Sequence, residues 1–361
     1  MARRIVINGR FLTQPTTGVQ RYAREIVSAL DALCGGRPEY SHKYRFEVLI
    51  PAGASESSFA PNMTWRVVGK LSGHMWEQIE LPSYAEKDLI LNFANTAPLT
   101  VRNQIVTIHD TSVFAAPDGY SLNFRLWYKY LHRSLCRRVA HIVTDSIFSQ
   151  SELERFCELP QARSTVIALG AEHILREPAD KTVLGRSGLG GQKFVLCAGS
   201  LNPNKNLASL VQTANQLESL GIPLVVAGGG NERVFRDSPV GFPANMRFLG
   251  YVTDSELRAL YESAVCFVFP SRYEGFGLPP LEAMACRCPV VCSNAASLPE
   301  VCGTAALMCD PSQSAQIADS VLSVVKNERL AADLSVRGRA RADSFMWAKA
   351  AQSWLELIDA S

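Results

Sequence analysis

The chain has 361 residues, of which 47% are hydrophobic and 19% charged, with a formal net charge of +2. That length and apolar content support two sizeable cores rather than one, the near-balanced charge excludes a strong overall field for nucleic acid, and no apolar run reaches the length of a membrane span. Only Ile5-Val6-Ile7 follow the opening Met1-Ala2-Arg3-Arg4, too short for a secretory leader, so a cytoplasmic place is expected, and the ten scattered cysteines read as buried thiols.

In chain order, a predicted strand at 5–7 is followed by a helix at 19–33. Strands at 46–50, 89–93 and 104–108 come next, then a helix at 124–139, a strand at 141–144 and a helix at 149–156. The second half repeats the pattern. Strands at 194–198, 224–227, 246–249, 266–269 and 289–292 alternate with helices at 207–220, 254–263 and 280–286. Strand-then-helix repetition predicts parallel sheets covered by helices, and its double run predicts an α/β chain of two doubly wound, Rossmann-like domains. The stretch 169–192 has Pro178, five glycines and no apolar period, so the domains are placed at 1–175 and 176–343. A last helix, 344–361, puts Trp347, Ala351, Trp354 and Leu357 on one stripe and is expected to pack back toward the first domain. The segment 124–141 carries Arg125, Lys129, Arg133, Arg137 and Arg138 among Trp127, Tyr128 and Leu131. Such a helix either covers its own domain, the favoured role, or lies on anionic lipid.

The most informative run is Pro270-Ser271-Arg272-Tyr273-Glu274-Gly275-Phe276-Gly277-Leu278-Pro279-Pro280-Leu281-Glu282-Ala283-Met284. It follows a strand and opens a helix, where a proline costs no hydrogen bond. Gly275 and Gly277 let the backbone approach a ligand, and the free N–H groups of the helix start favour an anion. Glu274 in the loop and Glu282 in the first helical turn would repel a phosphate. They are better suited to accept hydrogen bonds from sugar and ribose hydroxyls.

This run resembles the signature of the retaining GT-B glycosyltransferases of the GT4 family, in their mannosyltransferase-like subgroup. The likeness continues through Pro289-Val290-Val291 and Ser297-Leu298-Pro299-Glu300-Val301. It implies a GT-B fold with two domains facing a central cleft, the first domain on the acceptor side and the second binding the nucleotide sugar. It further implies that Glu274 contacts the donor sugar, that Glu282 binds the ribose, and that the backbone at Phe276, Gly277 and Leu278 meets sugar and phosphate.

Other loops fit the same resemblance. In Ala198-Gly199-Ser200-Leu201-Asn202-Pro203-Asn204-Lys205-Asn206-Leu207, Lys205 near a helix start would neutralise the diphosphate. The segment is similar to the family's Gly-Arg…Lys-Asn loop. The Arg position is Ser200, and the position before the Lys, Arg in many relatives, is Asn204, so one cation is missing. Thr17-Gly18-Val19-Gln20-Arg21-Tyr22 resembles the Gly-rich loop whose amides at Gly18 and Val19 meet the donor phosphate. His109 is carried over as a contact to the donor sugar, with Asp110 as its orienter or an acceptor contact. Leu249-Gly250-Tyr251-Val252 resembles the segment whose backbone reads the base. Gly228-Gly229-Gly230 resembles strand-end glycines near the nucleotide; Arg233 replaces the last glycine of a dinucleotide loop.

The expected catalytic set is therefore His109, Glu274 and Asp110. The expected donor-binding set is Gly18, Val19, Ser200, Lys205, Val252, Phe276, Gly277, Leu278 and Glu282. No metal ligand is expected: there is no Asp-x-Asp, and Cys286, Cys288 and Cys292 lack zinc spacing. The resemblance implies a retaining, metal-independent hexosyltransferase with no cofactor beyond its nucleotide sugar. GDP-mannose is the preferred donor, with UDP and dTDP sugars as alternatives. The acceptor is a glycan or lipid-linked glycan of polysaccharide biosynthesis, with no nucleic acid partner and with peripheral contact at the inner membrane face left open. The alternatives are a GT-B phosphorylase or sugar-phosphate transferase, and a non-catalytic nucleotide-sugar-binding protein.

Overall fold

The computed structural model describes residues 2–54, 59–200, 202–229 and 241–361. The chain divides into two compact units. One holds the residues up to Gly170 together with Trp347–Ser361, and the other holds Ala171–Met346.

The first unit is built on seven strands: β1 (Arg3–Asn8), β2 (Tyr44–Ile50), β3 (Thr64–Val67), β4 (Leu89–Asn92), β5 (Gln104–Thr107), β6 (His141–Thr144) and β7 (Ser164–Val166). They lie in the order β3-β2-β1-β4-β5-β6-β7, all parallel. A parallel sheet is covered on both faces, so its central strands must be apolar throughout; Ile5, Val6 and Ile7 of β1 and Ile90 of β4 have no exposure. The edge strands β3 and β7 are short, polar and half open, and the apolar pattern does not reveal them for that reason.

The second unit has six strands: β8 (Val195–Ala198), β9 (Leu224–Ala227), β10 (Met246–Gly250), β11 (Cys266–Phe269), β12 (Val290–Ser293) and β13 (Leu307–Cys309). Their order is β10-β9-β8-β11-β12-β13, again all parallel. Helices Ser314–Lys326 and Glu328–Ala342, not among the expected elements, help cover it; Ile317, Val321, Val324 and Leu334 join its core. The expected helix 207–220 is a 3-10 turn, Leu207–Leu210, followed by a helix over Val211–Glu218.

The unit boundary and the last helix differ from expectation by a few residues. The turn Glu172–Leu175 belongs to the second unit, because His173 is bonded to Glu282 there. At the other end Phe345 packs edge-on against Phe276, 5.8 Å away, so the second unit runs to Met346 and the last helix spans Trp347–Asp359. That helix packs in the first unit. Trp354 Nε1 donates to the Tyr22 hydroxyl at 3.0 Å, and the Trp354 ring meets Phe93 edge-on at 4.9 Å. Its buried stripe is Trp347, Ala350, Ala351, Trp354, Leu355 and Ile358; Leu357 is only half-buried.

All ten cysteines are buried and free. Burial pushes the thiols of Cys197 and Cys286 up to about 12, far from the reactive thiolate form.

Candidate active site

In an open parallel sheet the strand order reverses direction at one point, and ligands bind there, beyond the carboxyl ends of the two strands that flank it. In the second unit that point lies between β8 and β11. The loop after β8 carries Ser200 and Lys205; the loop after β11 carries Glu274, Phe276 and Gly277. Lys205 Nζ meets Glu274 Oε1 at 2.6 Å, across 69 residues of sequence, and the ammonium also lies 5.1 Å from the centre of the Phe269 ring.

The loops are held by polar ties. Asn206, in the left-handed region at φ 56°, sends its side-chain amide to Pro270 O at 3.1 Å and to Pro311 O at 2.7 Å. Arg272 N donates to Asn204 O at 2.8 Å, and the Ser271 hydroxyl donates to the same oxygen at 3.0 Å. Ser297 Oγ donates to Glu274 O and Phe276 O, at 3.0 and 2.7 Å, and so fixes the bend. Gly277 has φ 108°, and a Cβ there would lie 2.5 Å from Leu298 Cδ2, so no other residue fits this position. The helix Leu278–Ala285 starts directly afterwards, with Pro279 and Pro280 in its first turn.

Glu274 is reached on Oε1 by both Lys205 and Ser271. Its Oε2 has no hydrogen-bond partner among the described residues, and the side chain stays partly open at 13%. Lys205 is 21% exposed. This is a half-open cation and carboxylate beside a helix N-terminus, a combination suited to a ligand that carries both negative charge and hydroxyls.

Several expectations are corrected. The helix near Lys205 starts later than expected: Lys205 ends the 3-10 turn Pro203–Lys205, a second 3-10 turn spans Leu207–Leu210, and the α-helix follows at Val211. Glu282 is in the second turn rather than the first, because the helix begins at Leu278. It is buried, with Oε1 accepting from His173 Nε2 at 2.8 Å and Oε2 from the Tyr261 hydroxyl at 3.3 Å. Ser200 is exposed, and Val252 is half-buried after β10. Neither is brought into the Lys205–Glu274 pair. Gly228 makes the close approach of the strand-end glycines: a Cβ there would stand 2.9 Å from Gly199 O. Gly230 and Arg233 lie outside the described residues.

The first-unit residues form a separate group. His109 is buried and does not stand free: Nδ1 lies 2.6 Å from Asp145 Oδ2 and Nε2 lies 3.0 Å from Phe93 O. With Asp145 ionised both partners are acceptors, and the ring then donates from both nitrogens as the imidazolium; burial raises the pKa of Asp145 as well. Burial alone would lower the His109 pKa, but the Asp145 carboxylate, the Phe93 carbonyl and the Asp110 charge outweigh it and raise the value. Both ring nitrogens have partners within the unit. The orienter of His109 is Asp145, not Asp110. Asp110 Oδ1 instead accepts from Ser112 N at 2.8 Å. Gly18 begins the helix Gly18–Gly36, with Gln20 reaching back to Thr17 N at 3.2 Å. A Cβ on Gly18 would meet nothing within 4 Å, so neither packing nor backbone conformation requires a glycine there. The sequence does not point to Asp145, His173 or Tyr261 as partners of the site residues, because none of them stands in a recognisable motif; Ser297 stands in the segment that continues the family likeness, but its tie to the bend is visible only in the structure.

The basic helix Leu122–Arg138 turns Leu131, His132, Leu135 and Cys136 inward. Lys129 and Arg133 lie over the Phe114 ring at 5.4 and 5.3 Å, as the packing role requires, while Leu122, Leu126 and Tyr130 are exposed. Among the described residues no helix is long and apolar enough to cross a membrane.

Two all-parallel α/β sheets, one in each unit, are the architecture of the GT-B fold, and comparison with known proteins gives the class, a glycosyltransferase. Residues 185–341 match the family of glycosyl transferases group 1. The O-antigen chain mannosyltransferase B of Escherichia coli is 38% identical, over 72% of this chain and 71% of that protein. The O-antigen chain mannosyltransferase RfbU of Salmonella typhimurium is 24% identical, over 85% and 87%. The fold is shared with a sucrose-phosphate synthase of Thermosynechococcus elongatus, at a TM-score of 0.76 and 18% identity with both chains fully covered. It is also shared with WaaG, a glycosyltransferase involved in lipopolysaccharide biosynthesis, at 0.70 and 15% over 98% and 99%. The chain belongs to the group 1, GT4-type glycosyltransferases and is similar to their mannosyltransferase members.

Proposed function

We propose that this glycosyltransferase moves a hexose, with mannose from GDP-mannose preferred, onto a glycan or lipid-linked glycan acceptor in polysaccharide biosynthesis. The observation that carries the reading is the 2.6 Å contact of Lys205 Nζ with Glu274 Oε1 at the turning point of the second sheet. The names of the mannosyltransferase relatives support the sugar.

In the proposed reaction the donor diphosphate takes Lys205 as its counter-ion. Glu274, released from the ammonium, accepts hydrogen bonds from the sugar hydroxyls. The bond from the anomeric carbon to the phosphate oxygen breaks, and the bond to the acceptor oxygen forms on the same face. The acceptor's proton passes to the leaving phosphate. The ammonium and the backbone amides of Gly277 and Leu278, ahead of Pro279 and Pro280, oppose the growing negative charge, so the reading is of a retaining enzyme needing no metal or other cofactor. The cation missing at Ser200 and Asn204 is supplied by Arg272. Its backbone is tied to Asn204 O at 2.8 Å, and its exposed side chain has no ion-pair partner among the described residues. The exposed Leu122, Leu126 and Tyr130 on a basic helix support peripheral contact with an anionic membrane surface.

The test is turnover of GDP-mannose, UDP-glucose and dTDP sugars on a lipid-linked glycan, with and without a chelator, and with the product anomer read by NMR. GDP-mannose turnover with retention, unaffected by chelator, is expected. Turnover of no nucleotide sugar, an inverted product, or activity only with free phosphate would overturn the reading. Arg272→Ala should weaken GDP binding by several-fold in calorimetry.

A further inference from the structure

Glu282 is the residue on which nucleotide recognition is expected to rest, yet it is buried and already has partners. His173 comes from the 3-10 turn Glu172–Leu175, Tyr261 from the helix Asp254–Ser263, and Glu282 from the helix Leu278–Ala285. Three separate elements thus converge on one carboxylate. His173 Nε2 donates to Oε1 at 2.8 Å, and the Tyr261 hydroxyl donates to Oε2 at 3.3 Å. His173 and Tyr261 are almost fully enclosed, whereas the Glu282 side chain keeps 10% of its surface open.

The turn that carries His173 is itself pinned. Arg258 Nη1 donates to Leu175 O at 2.9 Å and to Glu177 O at 2.8 Å, while Arg258 Nε holds Glu262 at 2.7 Å. Asp180 N donates to Ser255 O at 2.9 Å. His173 therefore cannot drift away from the carboxylate without breaking several bonds to the helix Asp254–Ser263.

A carboxylate offers about four acceptor sites. The two donors use one site on each oxygen, which fixes the plane of the group and leaves a second site on each. Two acceptor sites side by side on a fixed plane match a vicinal diol. We propose that His173, assisted by Tyr261, is a positioning residue for the donor: it holds Glu282 so that its open edge accepts both hydroxyls of the nucleotide's ribose. The inference rests on the proposed role of Glu282. It adds that selectivity for ribose is set by a histidine at the start of the second unit, 109 residues away in sequence.

The test compares GDP and UDP with their 2′,3′-dideoxy forms by calorimetry on the full chain. The wild type should bind the ribose forms on the order of tenfold more tightly, and Glu282→Ala should abolish the difference. His173→Phe fills the same space without a donor and should abolish it as well. His173→Gln, whose side-chain amide reaches the Nε2 position, should restore it. A purely structural histidine would change melting temperature without changing the ribose-to-dideoxy ratio. Should His173→Phe not fold, His173→Asn, whose amide falls short of Oε1, takes its place, with Tyr261→Phe expected to reduce the ratio in part. Loss of the ratio in Glu282→Ala but not in the His173 variants overturns the positioning role alone. A wild-type ratio in Glu282→Ala overturns the role of Glu282 first and the inference with it.

Discussion

Each sheet sets a cation against a carboxylate beyond its strand ends, but the two pairs are built for opposite purposes. In the first unit the order reverses between β1 and β4, and Arg10 Nε meets Glu77 Oε1 at 3.1 Å, with the side chains 5% and 0% exposed. The same Glu77 oxygen accepts from Asn8 Nδ2 and Thr96 Oγ1, each at 2.8 Å, and Arg10 Nη2 donates to Thr96 at 2.6 Å. In the second unit Lys205 and Glu274 share one short contact and stay partly open. A buried pair surrounded by donors cannot be exchanged for a ligand without a large desolvation cost. A half-open pair can. The comparison teaches that the position in the topology offers a site, and the number of satisfied bonds decides whether the site is architecture or machinery.

The largest effect should come from breaking the closed pair. Glu77→Leu leaves Arg10 buried and uncompensated and should cost about 3–5 kcal/mol in denaturant unfolding of the first unit, while Glu274→Leu should cost about 1 kcal/mol or less. Equal costs would erase the distinction. Next, Lys205→Ala should lower kcat/KM by about 10²–10³, with little change in melting temperature. A smaller effect is expected from Glu274→Gln. It should lower kcat by roughly tenfold while tightening GDP binding, because the ammonium is no longer shared. Weaker GDP binding in that variant would count against the exchange of partners.

The smallest effect concerns His109, whose pKa is raised from its ordinary 6.5. A group whose folded pKa is raised stabilises fully below its unfolded value, and that stability is lost as pH rises through the folded value. The wild type should therefore lose on the order of 1 kcal/mol relative to His109→Gln as pH climbs above 6.5, read as the pH dependence of unfolding. A wild-type advantage that grows with pH would show that the imidazolium assignment is wrong.

Much of this architecture is legible in the amino-acid sequence. The five apolar strands expected in each half are present, because a doubly covered strand must be apolar and cannot hide in the sequence. Lys205, Glu274 and Gly277 stand out in their loops. The features that stay hidden have a common cause. His109 and Asp110 are adjacent in sequence, which suggests a pair, but neighbours in extended chain point to opposite sides. Asp145, 36 residues on, is the group that reaches the ring. The edge strands β3 and β7 escape notice because only one side of them has a neighbour.

The sequence by itself determined the fold class, the two-unit plan and the bend around Gly277, since apolar period, proline and glycine act over a few residues and leave a local record. Only the tertiary structure decided which groups pair: Lys205 with Glu274, His173 with Glu282, Asp145 with His109, and Arg10 with Glu77. Those pairings depend on distance and burial, which arise when strands far apart in the chain are laid side by side, and no local pattern encodes them.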